Sequence, residues 1–175
     1  MDLLRRNPSA TVTGIDLSQP MLNLAGAKAR RAGLHTRATF QVGDAMALPF
    51  GPEVFDGIVC AFCFRNIAHH AAALGEMRRV LRPAGRIVIM ELTPPSSRLM
   101  RPVHWLYTRR LVPLLGRFLS LGSAYRYLAE SIDHFPPAPR VLDSMRQAGF
   151  EDAACRPLSG GVVTLFAARK PGERR

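Results

Sequence analysis

Val54-Phe55-Asp56-Gly57-Ile58-Val59-Cys60-Ala61-Phe62-Cys63-Phe64-Arg65-Asn66 runs an apolar strand, Phe55 to Phe62, straight into an arginine and an asparagine. So few polar interruptions predict a strand covered on both faces. In open α/β sheets ligands bind beyond the carboxyl ends of the strands, so a polar pair delivered there is a candidate reaction site. The competing use of Arg65 and Asn66 is to close the strand and cap the helix that follows. The flanking sequence weighs between the two.

Working outward, strands and helices alternate. Ala10 to Asp16 reads as a strand ending in a carboxylate. Ser18 is placed to cap a helix running from Pro20, at the favoured first position, to Ala32, with Gly33 as its stop. Thr39 to Val42 is a short strand followed by Gly43-Asp44-Ala45. Beyond the central strand, Ala71 to Leu81 is a helix stopped by Pro83 and Gly85, and Arg86 to Leu92 is another buried strand. A basic helical insert spans about 95–132, and Pro136-Pro137-Ala138-Pro139 forms a rigid joint. A helix from Pro139 to Ala148 ends at Gly149. Ala153–Leu158 and Val162–Ala168 close the sheet, the last strand antiparallel at the end of the sheet, and 169–175 is a charged tail. This alternation predicts a doubly wound α/β layer fold.

At 175 residues and 47% hydrophobic content the chain suits a single domain with a real core. It has no apolar run of about 18 residues, as a spanning helix requires, and no signal-peptide h-region after Met1. A cytoplasmic protein is expected. The three cysteines, an odd number, argue against a disulfide framework. Cys60 and Cys63 form a C-x-x-C; on an extended segment their sulfurs would point to opposite faces, so core packing is their expected use. No metal site is expected.

Net charge is +11, from 24 basic and 13 acidic residues. It implies an anionic partner. Between Glu91 and Glu130 there is no acidic residue, while Arg98, Arg101, Arg109, Arg110, Arg117 and Arg126 lie inside with Trp105, Tyr107 and many leucines. That composition favours an anionic membrane surface over nucleic acid, for which no motif is present.

Three strand ends carry polar groups: Asp16, Asp44-Ala45 and Arg65-Asn66. A strand-end carboxylate can accept hydrogen bonds from both hydroxyls of a ribose, and Met21 can pack on an adenine face through its polarisable sulfur. His69 and His70, at the start of the next helix, are read as surface residues.

The ordered recurrence of Val12-Thr13-Gly14-Ile15-Asp16-x-Ser18-x-x-Met21-Leu22, Gly43-Asp44-Ala45-x-x-Leu48-Pro49-Phe50, Phe55-Asp56 leading to Phe62-x-x-Arg65-Asn66, and Arg79-Val80-Leu81-Arg82-Pro83-x-Gly85-Arg86 resembles a class I methyltransferase that uses S-adenosyl-L-methionine. Tyr125-Arg126-Tyr127-Leu128-Ala129-Glu130-Ser131-Ile132, Ala148-Gly149-Phe150 and Leu158-Ser159-Gly160-Gly161 narrow the resemblance to the ubiquinone/menaquinone biosynthesis C-methyltransferases. The resemblance implies a Rossmann-like sheet with a helical lid insert, and C-methylation of a polyprenylated quinol precursor at the inner face of the cell membrane. It implies Asp16 at the ribose, Asp44 and Ala45 at the adenine, and Ala61 near the cofactor where the family often has a serine. Arg65 and Asn66 would face the quinol, with Arg65 stabilising the phenolate.

The family's first strand and its glycine-rich loop are not found ahead of Arg5, so the expected fold is a class I methyltransferase sheet missing that strand: one incomplete domain over residues 1–175. A truncated, non-catalytic accessory protein that binds a partner or a membrane is the alternative this raises, and association with a second copy of the chain is compatible with either.

Overall fold

The computed structural model describes residues 2–93, 131–132 and 134–172. The basic insert therefore lies outside the described residues, except for Ser131 and Ile132, as do the last three residues of the charged tail. The chain divides into two compact units, residues 1–50 and 51–175.

The first unit holds helix α1 (Asp2–Arg6), strand β1 (Val12–Asp16), helix α2 (Gln19–Arg31) and strand β2 (Ala38–Val42). β1 and β2 pair in parallel, Val12 opposite Ala38 and Asp16 opposite Val42. α2 starts as its sequence requires: the Ser18 hydroxyl accepts from the Met21 N–H and a proline sits in the first turn. Gly33 takes φ 67°, the left-handed conformation that ends a helix most cheaply on glycine. The core is small: Leu4, Ala29, Leu34 and Ala38, with Val12 and Phe40 packed against them. α1 had no counterpart in the sequence reading. A long-range contact holds its end, because the Arg37 guanidinium donates to the carbonyls of Leu4, Asn7, Pro8 and Ala10 at 2.9–3.3 Å.

The second unit holds β3 (Phe55–Ala61), a 3-10 turn (Phe64–Asn66), α3 (His70–Val80), β4 (Leu81–Leu92), α4 (Ala138–Gln147), β5 (Glu151–Leu158) and β6 (Val163–Arg169). The strand order is β3-β4-β6-β5. β3 and β4 are parallel, while β6 runs antiparallel to both neighbours as expected; it lies between β4 and β5, however, and not at the end of the sheet, where β5 stands because it pairs back onto β6. Leu74, Val80, Leu81, Ile87, Ile89, Met145 and Phe166 form the buried interior. The left-handed Gly149 (φ 84°) closes α4, and its carbonyl takes a 3.1 Å hydrogen bond from Arg78 of α3, which ties the two helices together.

Two expectations fail here. β3 is not covered on both faces: Val59 is 64% exposed and only Cys60 is buried. Among the described strands β3 pairs with β4 alone. β1 likewise pairs with β2 alone, so the described strands form two hydrogen-bonded sheets. The second failure is the divergence of Cys60 and Cys63. The strand stops at Ala61 and Phe62 takes φ 58°, turning the chain so that the two sulfurs stand 3.0 Å apart.

Candidate functional site

In the first unit the parallel pairing sets Asp16 beside Val42, and the Asp16 carbonyl takes the Gly43 N–H at 3.2 Å. The residues after both strands are thereby held at one edge. Asp16 Oδ1 accepts the Ser18 N–H at 2.8 Å, which fixes the carboxylate; Oδ2 has no partner among the described residues. Asp16 is exposed, and so is Met21, at 55%. Leu17, at 71% exposed, adds a second apolar side chain beside that carboxylate and was not singled out in the sequence. Asp44 Oδ1 takes the Met46 N–H at 2.8 Å and closes the turn that presents Ala45.

A fixed carboxylate with one open oxygen, apolar side chains beside it and a second carboxylate turn at the same edge fit the ribose and adenine of S-adenosyl-L-methionine. A cavity of about 270 Å³ along α2, lined by Gln19, Leu22, Asn23, Gly26, Arg30 and Phe40, involves none of the predicted site residues.

In the second unit Ala61 ends β3 and is exposed. Arg65 and Asn66 follow on the 3-10 turn, with Asn66 exposed as well. Arg65 is set deeper than its sequence position suggests. Its side chain is 9% exposed, and its Nη1 donates to Glu91 Oε1 and to the Phe62 carbonyl, both at 2.7 Å, while Nε donates to the Ser131 hydroxyl at 3.2 Å. Nη2 has no partner among the described residues. Three N–H donors thus fix the guanidinium plane.

Glu91, the partner of Arg65, was not singled out in the sequence. Its side chain is fully buried at the end of β4, and its carboxylate also accepts the backbone N–H groups of Arg65 (3.1 Å) and Leu92 (2.9 Å). Its signal was legible: Ile87, Ile89 and Glu91 share one face of a strand of period two, and a carboxylate in that apolar series needs a buried partner.

His69 is exposed, as expected, but His70 is not an ordinary surface residue. Its ring stacks on Phe64 with centroids 4.5 Å apart and stands edge-on to Phe135 at 5.9 Å. Its Nε2 is buried without a hydrogen-bond partner among the described residues. Burial holds its pKa below the ordinary imidazole value, against the opposing pull of the Phe64 backbone and Glu91. A depressed folded-state pKa means the unfolded chain binds the proton first. Stability linked to His70 is therefore complete above about pH 6.5 and falls as the pH drops toward the folded value. His70→Phe, which keeps the stack, is expected to flatten the acid side of a urea-midpoint profile below about pH 6.5. An unchanged profile would show that other groups control it.

The ubiE/COQ5 methyltransferase family model matches residues 2–170. A demethylmenaquinone methyltransferase of Thermus thermophilus is 41% identical over 170 residues, which is 97% of this chain and 76% of that protein. A ubiquinone/menaquinone biosynthesis C-methyltransferase UbiE of Syntrophotalea carbinolica is 38% identical over 160 residues, covering 91% of this chain and 67% of that protein. Among solved structures, a SAM-dependent methyltransferase from Aquifex aeolicus superposes with a TM-score of 0.63 at 17% identity, covering 93% of this chain and 70% of that one. At that identity the likeness speaks for the class I methyltransferase fold alone.

Proposed function

The chain belongs to the ubiE/COQ5 methyltransferase family, whose chemistry is methyl transfer from S-adenosyl-L-methionine, and from that membership we propose that it methylates a ring carbon of a demethylated, polyprenylated quinol. The observation that carries the reading is the seating of Arg65. A ring carbon of a phenol is a weak nucleophile until the neighbouring hydroxyl loses its proton. The Arg65 Nη2 donors meet the oxygen as charge develops, and the bonds of Nη1 and Nε prevent the fork from swinging away. Because Glu91 compensates the guanidinium, the stabilisation comes from preorganised donors rather than from an uncompensated positive charge. Asn66, exposed beside it, orients the same oxygen.

S-adenosyl-L-methionine supplies an electrophilic methyl group when bound. In this reading Asp16 holds its ribose diol, Met21 and Leu17 flank the adenine, Asp44 and Ala45 meet the adenine edge, and Ala61 lies near the cofactor with a backbone contact in place of a hydroxyl.

The polyprenyl tail and the acid-free arginine-rich segment favour a membrane surface as the place of reaction, at the cytoplasmic face. No described helix is long and apolar enough to cross a membrane. Methyl-labelled S-adenosyl-L-methionine with a prenylated demethylnaphthoquinol in anionic vesicles tests this reading. Label on the ring carbon, with a lower KM in anionic than in neutral vesicles, is the expected result. A chain that binds cofactor yet leaves the quinol unlabelled would overturn the substrate class. In the same chain, Asp16→Ala is expected to weaken cofactor binding tenfold to a hundredfold, from the loss of about 1.4–2.8 kcal/mol of charge-assisted hydrogen bonding. Equal calorimetric affinity would remove Asp16 from the site.

A further inference from the structure

We propose that Cys60 and Cys63 form an oxidation site that closes to an intramolecular disulfide by exchange with small-molecule disulfides. Cys60 is 6% exposed, Cys63 is exposed, and their sulfurs already stand 3.0 Å apart. The backbone sets this approach independently of the thiols. Phe62, between them, holds φ 58°, a rare conformation for a bulky residue. It is pinned on both sides: its N–H donates to the Met90 carbonyl at 2.8 Å and its carbonyl accepts Arg65 Nη1 at 2.7 Å. The two thiols are thus presented asymmetrically, one to solvent and one behind it.

Solvent access makes Cys63 the attacking group. Its thiolate attacks one sulfur of the small disulfide, a new S–S bond forms at Cys63, and the other half leaves as a thiolate that takes up the proton Cys63 released. The Cys60 sulfur then attacks Sγ of Cys63 in the mixed disulfide, and the second half departs with the Cys60 proton. Two protein thiols are oxidised and one small disulfide is reduced to two thiols. The hydrogen bond with the Cys63 thiol and burial push the Cys60 pKa up, so Cys60 stays protonated while Cys63 is a free thiol; that hydrogen bond, the larger cause, is lost once Cys63 enters the mixed disulfide. Cys155, exposed and on β5, is an internal control.

No lysine or arginine lies between Arg37 and Arg65, so trypsin releases both sulfurs in one peptide, residues 38–65. The native full chain is equilibrated with oxidised and reduced glutathione near 0.1 mM, quenched in acid and alkylated. A local effective concentration in the mM range gives roughly a tenfold excess of internal disulfide over glutathione adduct. It is read as a peptide lighter by two hydrogens that resists alkylation. Cys60→Ala is expected to stop at the Cys63 adduct, and Cys63→Ser to leave Cys60 unreacted, with circular dichroism confirming that both fold. A glutathione adduct that persists on Cys63 of the parent, or alkylation of Cys63 that the oxidant does not reduce, would overturn the proposal.

A covalent bond draws the sulfurs closer and shifts the turn carrying Arg65 and Asn66. On the function proposed above, the oxidised chain is expected to lose more than about tenfold of its methyl transfer and to regain it with a reductant, whereas Cys63→Ser is expected to be insensitive to the oxidant. The mass measurement does not depend on activity, so a failure of the methyl-transfer reading leaves it intact.

Discussion

Glu91→Ala is expected to destabilise the second unit by about 3–5 kcal/mol, the scale for removing one partner of a buried ion pair. The carboxylate is fully buried and it accepts Arg65 Nη1 together with the N–H groups of Arg65 and Leu92. Its loss leaves, among the described residues, a cation at 9% exposure with no counter-charge and two backbone donors that lose their acceptor. Stability should return in graded fashion. Glu91→Gln keeps an acceptor for a backbone N–H but not the charge, and should recover only part of the loss. Replacing both partners by methionine removes the orphaned charge and should recover most of it. Urea unfolding followed by circular dichroism gives the three values. If the double variant were as unstable as Glu91→Ala, charge compensation would not be the reason for the pair, and the two backbone contacts would carry the effect.

Local signals placed much of this architecture. Ser18 and Pro20 opened α2, Gly33 and Gly149 ended two helices, and the direction of the last strand was readable, though not its place between β4 and β5. What escaped were features set by distant partners. The turn at Phe62 needs a left-handed residue that composition would assign to glycine or asparagine, and the carbonyl of Met90 holds it there. From an extended segment the two sulfurs point apart; from that turn they meet. The exposure of Val59 depends on what packs against the face of β3, which no local pattern encodes. Arg65 was legible as the residue after an apolar strand, but its burial was not, because the carboxylate that draws it in lies 26 positions away. His70 looked like a polar helix start, and only the rings of Phe64 and Phe135 reveal it as half-buried.

Arg65→Ala is expected to lower turnover by about a hundredfold to a thousandfold while leaving cofactor affinity near its parent value, the scale for losing one preorganised electrostatic group. The burial of Arg65 complicates the experiment in a way that can be separated. Alanine also strands Glu91 in the interior, so part of any loss could come from unfolding. Pairing the change with Glu91→Gln removes the stranded charge. The double variant should melt closer to the parent than Arg65→Ala alone, yet should remain as inactive, because the Nη2 donors are still missing. Arg65→Lys should recover part of the stability through its ammonium and Glu91. It should recover little turnover, since a compact ammonium spent on that carboxylate has no planar fork to extend toward a phenolate. Stability and turnover should therefore dissociate across the three variants. If turnover instead tracked stability through all of them, Arg65 would be a structural clamp between β4 and the 3-10 turn, and the donor for the phenolate would have to be sought elsewhere.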